Sequence, residues 1–198
     1  MRFAFSSALV ATSLSMACPA GATSAEEPPS DVPPDAPFPR LRAGIGLGAG
    51  YDFGVPAAHG PGPYLSFRIG KRLGPSFSVY YQGSPFVFWD RRSANVSGGV
   101  QSSALFAWML ADRVELAVGP AFDTSLFDTE TGDTVGFTPV LGLGGHARAA
   151  VALYRTHAAD RSRMGLFLAA EIHAVVPVLP PAPRALGFAS GSIGWEWY

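Results

Sequence analysis

At 198 residues with a formal net charge of −1, the chain has room for a single domain and lacks the basic surface that nucleic-acid binding demands. Charged residues make up only 15% of it, and no apolar run approaches the ~18 residues of a membrane helix. Hydrophobicity is dispersed instead through short alternating stretches, the form in which a membrane barrel escapes a hydropathy scan.

Residues 1–22 read as a secretory signal peptide. Met1-Arg2 is a minimal positive start, an apolar stretch follows, and cleavage is expected near Ala22 or Ala25. The single cysteine, Cys18, falls in this segment, so the mature chain carries no disulfide. The alternative, lipid attachment at Cys18, has a poor signal because Leu14 is displaced from the favoured position. Residues 23–39 include the acidic, Pro-rich run EEPPSDVPPDAPFP, which cannot build a core and is expected to be disordered or extended.

From residue 40 the pattern has a period of two. In 40–53, Leu41, Ile45, Leu47, Tyr51 and Phe53 share one parity, while Arg42, a file of glycines and Asp52 share the other. Glycines on one face suit a narrow barrel interior. Further strands are expected at 64–73, with Arg68 on the polar parity, and at 76–82. Residues 83–95 read as a loop whose Phe88, Trp89, Arg91 and Arg92 form a candidate surface contact; an aromatic belt is the plainer reading. Residues 96–110 and 114–122 form a hairpin with one bulky apolar face. Residues 123–136 read as a polar loop. The remaining strands are expected at 137–153, 164–176 and 186–198.

That makes about eight antiparallel strands joined by alternating long and short connections, the layout of an up-and-down transmembrane β-barrel over residues 40–198. Tyr51, Phe53, Phe122 and Phe137 fall at the long-loop end and Trp108, Trp195 and Trp197 at the short-turn end, as two interfacial belts would. The opposite parity carries a lumen set of Arg42, Arg68, His146, Arg148, Glu171 and His173. Parity allows two registers between strands six and seven. One sets Glu171 across from His146 and the other across from Arg148, and the pairing expected is Glu171 with Arg148. No catalytic or metal-binding constellation stands out and no cofactor is expected. Residues 142–147 fit G-x-G-x-x-A, but the alternation continues through them and no helix is expected there.

With its leader, eight alternating strands and aromatic ending GSIGWEWY, the chain resembles the small outer-membrane barrels of the OmpA/OmpX type. Trp197, Trp195 and Ile193 share the outward phase, and Tyr198 is one step off it. The resemblance implies a Gram-negative-type outer membrane, contact with its lipid or lipopolysaccharide, insertion by the barrel-assembly machinery through the last strand, and a monomer with a structural or surface-interaction role. Two alternatives stay open: a soluble secreted barrel for an apolar ligand, and a barrel enzyme acting on lipid. The lipid-modifying members of that group work on the lipid-facing surface, whereas Glu171 and His173 share the lumen parity.

Overall fold

The computed structural model describes residues 41–53, 60–89, 96–111, 113–131, 134–157, 163–178 and 185–197. The signal-peptide and Pro-rich segments, with Cys18, lie outside the described residues, as do Arg91, Arg92 and Tyr198. Eight strands form a closed antiparallel barrel in chain order: β1 (Leu41–Phe53), β2 (Pro61–Arg72), β3 (Phe77–Trp89), β4 (Val96–Leu110), β5 (Val114–Thr131), β6 (Thr134–His157), β7 (Arg163–Pro177) and β8 (Leu186–Trp197). β8 closes on β1 from Ala43 opposite Trp197 to Phe53 opposite Gly187, so no strand is left with an open edge.

The sheet is inside-out relative to a soluble protein. Ile45, Leu47, Phe67, Ile69, Phe106, Leu116, Leu168, Ile172 and Ile193 are all exposed on the outer wall. Their neighbours of opposite parity, including Arg42, Arg68, Glu115, Arg148, Glu171 and Glu196, are buried inside. A period-two strand has no other choice once one parity faces the lumen.

The strands run past three of the expected boundaries. β3 continues through Gly83-Ser84-Pro85 to Trp89. Proline lacks the N–H for one ladder bond, yet the β2–β3 pairing resumes beyond Pro85 in the same register, with Tyr64 opposite Phe86. A Cβ at Gly83 would collide with the Phe67 ring, which covers the glycine from the facing position. Phe88 is therefore not a surface-loop residue. It lies on the lumen parity, 1% exposed, while Trp89 faces outward. The polar loop expected at 123–136 is mostly strand: β5 runs to Thr131 and β6 starts at Thr134, with Asp123 and Ser125 turned inward and Leu126 outward. β6 likewise continues to His157, absorbing a β-bulge between Ala152 and Tyr154. Residues 142–147 are strand throughout, with no helix after them.

The chain crosses from one rim to the other with each strand. The rim that holds the start of β1 and the end of β8 also holds the β2–β3 and β4–β5 turns, while the shortest connection, between Thr131 and Thr134, lies at the opposite rim in place of the expected long loop. In the β4–β5 turn Ala111 takes a φ of 47° and the Arg113 N–H donates to the Leu110 carbonyl at 3.1 Å. Trp108 packs at a tilt against Phe77 at this rim, ring centroids 5.4 Å apart, and Trp195 and Trp197 lie close to the rim on β8. Tyr51, Phe53 and Phe122 face outward towards the opposite rim. The Phe137 side chain is outside those described.

The face assignment is testable at Leu168, half-exposed at mid-strand on β7. Leu168→Arg is expected to cost about 2–4 kcal/mol of unfolding stability in lipid vesicles. Leu168→Val should lose far less. Equal stability of the arginine variant would invert the two faces.

Candidate functional site: the sealed polar lumen

The lumen is narrow, and β1 makes room in it by carrying almost no side chains. A Cβ at Gly44 would sit 2.9 Å from Glu196 Cγ and 3.2 Å from Arg68 Nε. At Gly50 it would strike the Phe188 ring. The glycine file is thus the space into which larger residues of β2 and β8 extend.

Three arginines and three glutamates fill that space. Arg42 of β1 pairs with Glu115 of β5, and with Glu196 of β8 at 2.5 Å. Arg148 of β6 pairs with Glu115, with Glu196 at 3.0 Å and with Glu171 of β7 at 3.2 Å, so it touches all three carboxylates. Arg68 of β2 lies 3.0 Å from Glu196 and 4.0 Å from Glu171. Each of these six side chains is at most 3% exposed. Their formal charges cancel. A lone charge in a dry interior is prohibitively costly, so a neutral, multiply bonded set is the form in which burial is tolerable.

Neutral groups complete the network. Tyr80 donates to Glu115 at 3.0 Å and lies under the Arg42 guanidinium, 4.6 Å from ring centre to Cζ. Tyr64 donates to Glu171, and Gln82 donates to Glu171 at 2.7 Å and to the Tyr64 oxygen at 2.9 Å. His146 Nε2 stands 3.4 Å from Glu171 and its Nδ1 is 2.8 Å from Ser103 Oγ. Apolar plugs flank the ions. Tyr80, Leu105, Ala107 and Ala117 pack on the side of the β4–β5 turn, and Tyr64, Phe86, Phe88 and Phe188 pack towards the other rim.

All six residues expected on the lumen parity are buried inside. Five of them join one network. The sixth, His173, sits beside it, its ring 4.7 Å from that of His146 and its Nδ1 3.2 Å from Asp123. The β6–β7 register sets Arg148 opposite Glu171 and His146 opposite His173. Glu115 and Glu196 were absent from the expected set, although both alternate with outward-facing residues. Parity marks them as inward. It cannot say that Arg42 meets them, one across the lumen and the other across the closing seam.

The Ser103–His146–Glu171 chain has the connectivity of a nucleophile, a base and an orienting acid. The Glu171 carboxylate is, however, also engaged by Arg148, Gln82 and Tyr64, and neither Ser103 nor His146 lines the cavity found in the lumen. This arrangement holds side chains in place around the Glu171 carboxylate.

Glu171→Ala and Arg148→Ala are each expected to lower unfolding stability by about 3–5 kcal/mol, since each strands buried charge. The double variant should lose less than the two losses added. Simple additivity in urea unfolding of the reconstituted barrel would contradict the pairing.

No family model matches the chain, and no curated protein matches it in sequence. Solved structures do. Ail, the attachment invasion locus protein of Yersinia pestis, superimposes with a TM-score of 0.52 at 9% identity, over 79% of this chain and 99% of that one. Neisserial surface protein A gives 0.49 at 10% identity, over 79% and 95%. The N-terminal β-barrel domain of OprF from Pseudomonas aeruginosa gives 0.49 at 10% identity, over 78% and 96%. Identities this low bear on architecture alone. Together with the closed eight-strand topology, the match to Ail shows that the chain has the fold of the small outer-membrane β-barrels.

Proposed function

We propose that this protein is an integral barrel of a Gram-negative-type outer membrane with a structural or surface-interaction role and no catalytic one. The observation that carries the reading is the pairing of an apolar outer wall with a charge-compensated, side-chain-filled interior. A wall that exposes Leu, Ile, Phe and Trp on every strand suits lipid tails, and a soluble protein would have to cover it. An apolar-ligand carrier would need the reverse, an apolar cavity inside a polar shell. In this reading the signal peptide of residues 1–22 exports the chain, and the barrel-assembly machinery inserts it through β8. It then stands as a monomer in contact with outer-membrane lipid or lipopolysaccharide. The filled lumen supports a wall-like anchor over a pore, in keeping with the capacity of eight strands.

Membrane fractions provide the test. The protein should resist carbonate extraction and migrate differently on gels with and without boiling. Release by carbonate with no heat-dependent shift would overturn the reading. Reconstituted in planar bilayers it should show no sustained channel, and a fluorophosphonate serine probe should leave Ser103 unlabelled. Stable labelling of Ser103 would instead favour the lipid-acting enzyme.

A further inference from the structure

Among the described side chains, Lys71 is the only charged one on the outer wall of the barrel. It ends the outward row of β2 formed by Leu65, Phe67 and Ile69. Ile69, Ala43 and Trp197 stand level with one another across three strands. Lys71 lies one outward step beyond them towards the rim, between Leu41 of β1 and Val79 of β3. Trp197 is exposed on this wall, at the depth where indole rings meet lipid headgroups. A lysine there keeps its stem on the apolar wall and carries its ammonium out to the headgroups.

A second cation is fixed beside it. The Arg72 guanidinium donates from Nε to the Gly74 carbonyl at 3.0 Å and from Nη2 to the Pro75 carbonyl, which holds its charge over the β2–β3 turn. Acids are missing from this sector. Residues 41–51 of β1, the whole β2–β3 hairpin and β4 contain no aspartate or glutamate. The lumen carboxylates of Glu115 and Glu196 are buried and engaged by arginines. The corner formed by Lys71 and Arg72 therefore presents positive charge to the headgroup layer.

We infer that this corner binds the phosphate of an anionic membrane phospholipid, one of the phosphatidylglycerol type. A zwitterionic lipid brings its own cation to its phosphate. A net-negative headgroup leaves that charge for Lys71 and Arg72 to take up. Leu41 and Ile69, both exposed beside Lys71, give the acyl chains an apolar wall to lie against. The inference rests on the membrane reading above and adds to it the class of lipid held at one rim.

The test uses the chain from residue 23 onwards in phosphatidylcholine vesicles, with lipids brominated near the headgroup end of their chains as quenchers. Trp89→Phe leaves Trp108, Trp195 and Trp197, all near this rim, as the fluorescent reporters. Quenching should show brominated phosphatidylglycerol preferred over brominated phosphatidylcholine by about tenfold, the scale of two cations beside an anionic headgroup. Lys71→Gln should cut that preference about fivefold, the share of one cation, and Lys71→Arg should keep it. Arg113→Gln, in the β4–β5 turn beside Asp112, should leave it unchanged. A barrel without a heat-dependent gel shift in these vesicles would overturn the membrane reading and this inference with it. An inserted barrel quenched equally by the two lipids, or one whose preference survives Lys71→Gln, would overturn the lipid site alone. Lipid A displacing the probe at a lower mole fraction than unlabelled phosphatidylglycerol would overturn a phospholipid in favour of lipopolysaccharide. A preference seen only after deletion of residues 23–39 would overturn it in favour of that acidic segment as the occupant.

Discussion

The structure depends on one constraint: three guanidinium and three carboxylate groups share a lumen too narrow to hold much water. None of the six can be removed from the set without leaving a charge behind, and each comes from a different strand. Arg148 binds every glutamate and Glu196 meets every arginine, so the network links β1, β2, β5, β6, β7 and β8 across the barrel. Ladder hydrogen bonds fix only neighbouring strands. The ions fix opposite walls, and in doing so they specify a closed barrel of this circumference.

The same constraint explains the outer wall and the glycines. Side chains that fill the lumen must come from some strands and be absent from others. β1 yields the space with Gly44, Gly46, Gly48 and Gly50, and β2, β3 and β8 occupy it with Arg68, Tyr64, Gln82, Glu196 and Phe188. With the six ions paired inside, the apolar parity has nowhere to go but outward. A hydrophobic exterior is then a consequence of the filled polar interior, and the hydrocarbon phase is the solvent in which such a surface is stable.

Much of this was legible from alternation alone. Face assignments in β1, β2, β4, β7 and β8 follow from parity, because one register slip would turn every side chain over. The strand ends were less legible. Gly83-Ser84-Pro85 has turn chemistry, yet neighbouring strands override it and carry Phe88 into the lumen. Asp123 to Thr131 loses the apolar half of its alternation, so it reads as loop although the ladder continues. The network was legible only in part. Arg148 and Glu171 meet across adjacent strands, which sequence can enumerate. Arg42 and Glu115 meet across the lumen, and that distance exists only after closure.

The most direct measurement of the central claim is hydrogen exchange at the arginine side chains, followed by NMR on the barrel in lipid bilayers. Arg42, Arg68 and Arg148 should show guanidinium N–H signals that exchange slowly, while exposed Arg113 on the β4–β5 turn exchanges fast. Exchange at all three lumen arginines as fast as at Arg113 would mean a wet, unpaired lumen and would contradict the account.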